Sequence, residues 1–580
     1  MTSGVRFPAL AGRGLGLGMD LRWADPAGFQ TGPAGDDGIA PALRTFLRAQ
    51  APGFAHAFFS WQPRDRGRLR LADYAPAWDQ LVSVLPPALP RALHHTALNL
   101  AALASAPGAS LLDFTNALCE RYRLLWINED VGFWSLAGRP VPYPLPPILD
   151  AGGLGACVRN VRQAQRGLAV PLVIEFPGFA AGVSLVMGDL DAYDFFRILA
   201  EETGAPVTLD VGHLLSWRWW HGFRGQALFD ELARLPLAHA FEIHLSGCEL
   251  AGDRFVDAHH GRLLDEQLVM LERLLPLCPN LRAVTFEDPR LQLNGDGDGD
   301  GALEPASQRS LDRLRQAVRG WSAPPSSLAA TTSEPVPPQA VSVDVDDSTP
   351  DDAVAAPTET ALAGLLFDSD VRAAWRRGAL TETVKALATL APDELDAAAS
   401  AARTMVRERA HRGTGRLADA FPRCIAGWRA VHPDDQTLDA LFDRFLASAA
   451  VAPWHEQPGR EGGASIEACF AAFACAAGLA DPLVCEEELL SVLLRALTVT
   501  PRPAFTPPSA VRRAPGGWFA VSAAEPPVLH AALRGRYWCG PITPLVAALL
   551  GSSGAADGPS SSDSAAVAAV RARLVEMELL

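Results

Sequence analysis

Short β-type apolar runs recur along the first half of the chain, at Gly14–Asp20, Phe54–Trp61, Arg91–Ala97, Leu124–Glu129, Pro171–Phe176, Pro206–Val211, Ala240–Leu245 and Arg282–Glu287. Between them lie stretches whose apolar residues return at three- and four-residue spacing, as in Tyr74–Leu85, Leu111–Tyr122, Gly152–Gln165, Asp191–Glu202 and Gly225–Leu235, which is the period of an amphipathic helix. Strands alternating with helices in this way predict an α/β fold, a (β/α)8 TIM barrel, closed by a helix at Ser307–Val318 and occupying residues 1–321. The run Gly12–Gly18 lacks the G-x-G-x-x-G spacing and the acid on a following strand, so it reads as a first barrel strand with small residues where packing is tight. The run Asn294–Gly301 opens like a calcium loop. Its twelfth position, counted from Asp296, is Ser307 and not a bidentate acid, so a flexible acidic loop is expected there.

The pattern changes at 322–360, where Pro, Ser, Thr, Ala and Asp dominate and a disordered linker is expected. Residues 361–548 then read as a mainly helical domain. Its expected helices are Val371–Leu380, Glu382–Leu390, Leu395–Arg412, Leu417–Val431, Gln436–Ala449, Ser465–Leu479 and Glu486–Leu497. A small β portion is expected within 500–538, around Trp518–Val521. The tail, 549–580, is a Gly/Ser-rich stretch followed by a short helix at Ala566–Glu578.

A chain of 580 residues is long enough for two or three domains with full cores. A formal charge of −16 argues against a nucleic-acid partner, because phosphate binding relies on clustered Lys and Arg. Nine cysteines without a C-x-x-C pair fit reduced thiols. The N-terminus lacks a signal-like apolar core and no apolar run reaches the ~18 residues of a membrane span, so a cytoplasmic location with no membrane partner is expected.

Acids and histidines collect at the strand ends. His95 ends the third strand, Asp130 follows the fourth, Glu175 ends the fifth, and Asp210 ends the sixth with His213 just beyond. His244 ends the seventh, Asp257 and His259 lie in the loop after it, and Glu287 ends the eighth. In a parallel barrel all of them converge on the carboxyl-end face. So many carboxylates and imidazoles on one rim are electrostatically costly without cations. Such donors suit iron or manganese, and also zinc. The central members, His244, Asp257 and His259, are the expected catalytic residues among these metal ligands.

The motifs His95-Thr96-Ala97-Leu98-Asn99, Asn128-Glu129-Asp130, Glu175-Phe176-Pro177, Asp210-Val211-Gly212-His213, His244-Leu245-Ser246-Gly247, Asp257-Ala258-His259 and Phe286-Glu287-Asp288 stand in this order along the chain. The order resembles the multinuclear non-haem iron-dependent oxidative enzymes, which are methanobactin-maturation oxidase-like proteins on a xylose-isomerase-like barrel. The resemblance covers about residues 14–320. It implies two or three iron ions of mixed Fe(II)/Fe(III) state, dioxygen as co-substrate, and oxidation of a ribosomally made precursor peptide, commonly at cysteine. It also implies a partner protein that grips the peptide leader; the fused C-terminal domain is expected either to fill that role or to serve as a structural or oligomerisation domain. The chain departs from the family pattern in having Asp130 in place of a His, Phe176 in place of an Asn, and Phe58-Phe59-Ser60-Trp61 where the second strand brings a Glu-Asn pair. Two other readings compete: a different metal-dependent barrel enzyme of sugar isomerase or phosphoesterase type, and a non-catalytic scaffold for the fused domain.

Overall fold

The computed structural model describes residues 5–20, 41–61, 69, 71–104, 107–292, 300–322, 352–378, 389–408, 416–432, 437–455, 464–499, 510–551 and 565–580. Strand β1 (Gly14–Asp20) leads through α1 (Pro41–Gln50) to β2 (Ala57–Trp61), α2 (Leu71–Ser83), β3 (Arg91–His95), α3 (Ala109–Tyr122) and β4 (Leu124–Asp130). A hairpin, β5 (Phe133–Leu136) and β6 (Arg139–Leu145), precedes α4 (Ala151–Gly167), β7 (Leu172–Glu175), α5 (Ala192–Thr203), β8 (Val207–Asp210) and α6 (Val211–Trp220). Next come β9 (Ala240–Leu245), a second hairpin of β10 (Cys248–Ala251) and β11 (Arg254–Asp257), α7 (Asp265–Leu274), β12 (Ala283–Glu287) and α8 (Pro305–Ser322). The parallel strands close in the order β1, β12, β9, β8, β7, β4, β3, β2, which is the expected (β/α)8 barrel.

The glycines of β1 are required by close approach. A Cβ at Gly16 would lie 2.0 Å from His56 Nε2, and one at Gly18 would lie 2.4 Å from Phe58 Cζ. Their absence lets His56 and Phe58 fill the barrel interior. The helix expected at Gly225–Leu235 is two 3-10 turns, Gly225–Phe229 and Leu232–Arg234. The true helix after β8 starts at once, because the Asp210 carboxylate caps it by accepting a 2.8 Å hydrogen bond from His213 N.

The C-terminal part comprises α9 (Asp352–Phe367), α10 (Ser369–Arg376), α11 (Pro392–Glu408), α12 (Leu417–Ala420), α13 (Pro422–Val431), α14 (Leu438–Leu446), α15 (Ile466–Ala476) and α16 (Pro482–Val499). An antiparallel sheet follows, β13 (Arg512–Ala514), β14 (Gly517–Val521), β15 (Val528–Leu533) and β16 (Arg536–Pro541), with α17 (Pro544–Gly551) and α18 (Ala565–Glu576) after it. Helix α9 begins inside the stretch expected to be linker. Its alanines are the strongest helix formers, and Leu362, Leu365, Leu366 and Phe367 are buried, whereas a composition reading counts the same alanines as linker-like. Residues 323–351, most of the expected Glu382–Leu390 helix, and 293–299 with the calcium-like loop lie outside the described residues. The single helix expected at Leu417–Val431 breaks at Phe421, where Pro422 starts a new helix at a position that needs no N–H. The tail helix docks: Leu574 and Leu579 are buried with Phe519 and Leu533, and Gly516 N donates to Glu578 O at 3.0 Å.

One cluster of buried apolar side chains runs from the barrel, through Phe133 and Leu136, into the helices, through Leu362, Phe367, Trp454 and Phe470. The helices rest on loops at the carboxyl ends of the strands. Glu359 of α9 accepts from Leu103 N at 2.6 Å and Ala104 N at 3.0 Å in the loop after β3. Gly188 N, after β7, donates to Thr389 Oγ1 at 2.9 Å. No helix among the described residues is long and apolar enough to cross a membrane, and none of the nine cysteines is in a disulfide.

Candidate metal centre

Period-two alternation along parallel strands sends every second side chain into the barrel, and at the carboxyl ends these side chains meet. His244 at the end of β9 holds the centre. Its Nδ1 lies 2.8 Å from Glu287 Oε1 of β12 and 3.1 Å from Glu175 Oε2 of β7. His94 Nε2 approaches Glu175 Oε2 to 3.2 Å. Three overlapping sets offer donor atoms that lie within 4.8 Å of one another: His94, His244 and Glu287; Glu175, Asp210 and His244; and Asp130, Glu175 and His213. Among the described residues both ring nitrogens of His244, Glu287 Oε1 and Asp130 Oδ1 are buried and make no aligned hydrogen bond, although His244 Nδ1 and Glu287 Oε1 face each other as an ion pair. Buried polar atoms without an aligned hydrogen bond are costly unless something else satisfies them.

His213 joins this inner group through a second node. Its Nδ1 lies 2.7 Å from the carbonyl oxygen of Phe176, which can only accept, so Nδ1 carries a proton and Nε2 is the nitrogen left for a cation. Nε2 faces Asp257 Oδ2 at 3.3 Å and Tyr143 Oη at 3.3 Å. Proximity alone would pair His213 with Asp130 and Glu175 through Nδ1, at 3.9 and 3.8 Å, but the shorter bond to Phe176 decides the tautomer. Asp257 Oδ2 also meets His259 Nε2 at 2.9 Å, and His259 Nδ1 meets Asp288 Oδ2 at 2.9 Å. Ser246 Oγ donates to Asp257 Oδ1 at 2.5 Å. The His259 side chain is 42% exposed, so the outer node is the side open to solvent.

His95, expected as a ligand, is turned away from the cluster. Its ring bonds Glu129 Oε2 at 2.8 Å and Thr115 Oγ1 of α3 at 3.1 Å. A shift of one residue exchanges the faces of a strand, and it is His94 that shares the interior face of β3. The other expected residues, Asp130, Glu175, Asp210, His213, His244, Asp257, His259 and Glu287, are brought to the two nodes. Phe58 replaces the second-strand pair with an apolar wall, its ring 5.0 Å from that of His244 and 5.4 Å from that of His94. Phe176 points into a core of Phe179, Tyr193 and Phe196, and contributes only its carbonyl.

Sequence reasoning missed four supporting residues. Glu242 is fully buried beneath His244. It accepts from Trp126 Nε1 at 2.9 Å and Thr285 Oγ1 at 2.5 Å, with its Oε1 3.2 Å from His244 Nε2. Its signal was the Glu-x-His spacing, which puts both residues on one face of β9. Asn128, two residues before Asp130 on β4, donates through Nδ2 to Glu175 Oε2 and accepts from Thr208 Oγ1 at 2.8 Å. Tyr143 arrives from the β5–β6 hairpin, a loop insertion with no strand-end signal. Asp288 stood in the Phe286-Glu287-Asp288 motif without a role of its own.

Burial raises Asp130 and Asp210 to about 7, helped in each case by neighbouring carboxylates. Burial opposes charge on the histidines, but the surrounding carboxylates outweigh it, raising His94 to about 9 and His213, His244 and His259 well above their usual value. Glu175 and Asp257 are held well below the carboxylate range by these same imidazoles against the pull of burial. The metal-free cluster thus balances its carboxylates with protons on imidazoles, and cations would replace those protons.

Fold and geometry together define a (β/α)8 barrel with a buried imidazole and carboxylate cluster at the carboxyl ends of its strands. Residues 75–288 match the model of a family described as RiPP precursor modification enzyme MbnB/TglH/ChrH, in agreement with the resemblance carried by the strand-end motifs. A UPF0276 protein of Bordetella pertussis is 33% identical over 139 residues, which is 24% of this chain and 46% of that protein. A UPF0276 protein of Paraburkholderia phytofirmans is 27% identical over 165 residues, covering 28% of this chain and 50% of its own length. One of Rhizobium meliloti is 25% identical over 195 residues, covering 33% and 61%. The chain spans about half the length of the curated relatives it matches first.

Proposed function

We propose that this chain is an iron-dependent oxidase that modifies a ribosomally synthesised precursor peptide, at cysteine, with dioxygen. The observation that carries the reading is the convergence of three overlapping imidazole and carboxylate donor sets, two of them sharing His244, within the segment similar to RiPP precursor modification enzymes. The donor set fits iron, being imidazole and carboxylate with no thiolate. His94, His244, Glu175, Asp210, Asp130 and Glu287 would hold cations at the inner node, and His213, Asp257 and His259 at the outer node. Two or three irons of mixed Fe(II)/Fe(III) state would there supply a binding point for the substrate thiolate and the redox couple to dioxygen.

The chain's own residues shape that chemistry. Phe58, packed on His94 and His244, keeps water from the inner node. Asn128 and Glu242 fix the orientation of Glu175 and His244. His244, Asp257 and His259 would hold the cations and carry the catalytic role, and the exposed edge of His259 would admit the peptide.

The C-terminal part would do the work of a leader-gripping partner by adding the peptide as a strand to its sheet. Strand β14, with Trp518, is interior to that sheet and paired on both sides, whereas β16 is an edge whose Trp538 is 57% exposed. The extended leader is therefore assigned to β16.

The test is anaerobic loading with Fe(II), then addition of a Cys-containing peptide and dioxygen. Oxygen uptake with a matching change in peptide mass is expected. Iron-loaded protein that consumes no dioxygen and leaves the peptide unchanged overturns the reading. Aldose–ketose conversion or phosphoester cleavage would point to the isomerase or phosphoesterase alternative, and inertness in every assay to a scaffold.

A further inference from the structure

The β5–β6 hairpin joins the C-terminal helices to the outer node. Its two-residue turn places Ala137 at φ +48° and Gly138 at φ +80°, the left-handed pair that a tight hairpin needs. The tip abuts the segment after α14. A Cβ at Gly138 would lie 2.1 Å from His455 Cδ2. Arg139 donates to Val451 O at 3.5 Å, and its guanidinium lies 6.0 Å from the centre of the Trp454 ring. One flank is tied to the loop after β3, where Asn99 Oδ1 accepts from Trp134 N at 2.7 Å and Asn99 Nδ2 donates to Ser135 O at 3.2 Å. That loop is in turn held by Glu359 of α9. At the other end of β6, Tyr143 Oη reaches Asp257 Oδ2 at 3.2 Å and His213 Nε2 at 3.3 Å. The space for this reach is provided by Gly178, where a Cβ would lie 2.3 Å from Tyr143 Oη.

We propose that Tyr143 is a positioning residue of the outer node and that the C-terminal helices set it through the hairpin tip, so that they form a wall of the site as well as any docking platform. The phenol has one proton and two neighbours. Tyr143 donates to Asp257 Oδ2, and this bond fixes the direction of the carboxylate that His213 and His259 share. A tilt of the hairpin at Arg139 moves Oη at the site. The inference rests on the two-node arrangement proposed above but on neither iron nor dioxygen.

The test uses the full chain labelled with 3-fluorotyrosine, whose five tyrosines give five fluorine resonances, with Tyr143→Phe identifying the one of interest. Cobalt(II), a paramagnetic divalent probe, is expected to shift or broaden the Tyr143 resonance first. In the metal-free protein Arg139→Ala is expected to move that resonance while leaving the others in place, and Arg139→Lys to restore it in part. Tyr143→Phe should weaken the more weakly held cobalt by about 10-fold and leave the tighter one unchanged, in line with the usual effect of removing a ligand's hydrogen-bond partner. A Tyr143 resonance indifferent to both cobalt and Arg139→Ala, or unchanged affinity for both cobalt ions in Tyr143→Phe, overturns the inference. If Arg139→Ala fails to fold, Trp454→Phe takes its place with the same readout. Absent oxygen uptake with these couplings intact would remove the oxidase reading and leave this one standing. Oxygen uptake without them would do the reverse.

Discussion

Substituting Glu242 by Gln tests the layer beneath the candidate metal centre with almost no change of shape. The carboxylate is fully buried, accepts from Trp126 Nε1 at 2.9 Å and Thr285 Oγ1 at 2.5 Å, and lies 3.2 Å from His244 Nε2 and 3.5 Å from His56 Nε2. Thr285 Oγ1 in turn receives the His56 Nε2 proton at 2.8 Å. An amide has a single acceptor oxygen, so Gln leaves an NH2 group facing donors on one side or the other. Hydrogen bonds to a charged group are worth about 1.5–3 kcal/mol each, and stripping one member from a buried ionic set costs about 3–5 kcal/mol. Against a total stability of about 5–15 kcal/mol that is a large fraction, yet one that leaves a folded protein for measurement. The second effect is on His244. Without the negative charge 3.2 Å from Nε2, a proton on that nitrogen is less favoured, and Nδ1, which faces Glu175 and Glu287, is less available to a cation. Loss of such a partner typically costs 10–100-fold in metal affinity, or about 1.4–2.7 kcal/mol. Urea unfolding of the metal-free proteins reads the first effect and zinc titration by calorimetry the second. Unfolding within about 1 kcal/mol of the parent, together with unchanged zinc affinity, would refute the assignment, because surface-like substitutions behave that way.

Three further outcomes follow from the same geometry. His94→Ala should abolish the tightest cation site, whereas His95→Ala should keep it and lose stability through the broken Glu129 and Thr115 contacts, as metal titration and thermal unfolding of both variants will show. Calorimetric zinc titration in two buffers of different ionisation enthalpy should reveal more than one proton released per cation at pH 7, because His94 is raised to about 9 and His213, His244 and His259 are raised too; zero release would contradict the charge balance. These raised values also set the pH dependence of the metal-free protein. The folded state holds protons that the unfolded chain releases near 6.5, so this stabilisation is complete below that pH and is lost as pH rises toward 9. The metal-free melting temperature should therefore fall between pH 7 and 9, and cation loading should flatten the trend.

Much of this site was legible from strand ends alone, for a physical reason. In a parallel barrel the carboxyl end of each apolar run must reach the same rim, so a His or acid at that point has a known destination before any contact is seen. Strand β9 and its terminal His244 were placed in this way, as were Glu175, Asp210 and Glu287. His95 was not, because adjacent residues of a strand face opposite ways and the ladder between β3 and β4 shifts register between Arg91 and Leu93, which removes the reference for counting. Tyr143 lay beyond reach because it enters from a hairpin whose placement depends on Asn99, Val451 and Trp454, contacts distant in sequence. The start of the helical domain was obscured by composition: the alanines of α9 resemble a linker until Leu362, Leu365 and Phe367 are seen buried against the barrel.

The most direct test of the central claim is iron stoichiometry with Mössbauer spectroscopy on anaerobically purified, iron-57-labelled protein, with His244→Ala alongside. His244 serves two of the three donor sets, so the account predicts two or three irons per chain and a marked loss in the variant. Little bound iron, unchanged by His244→Ala, would contradict it.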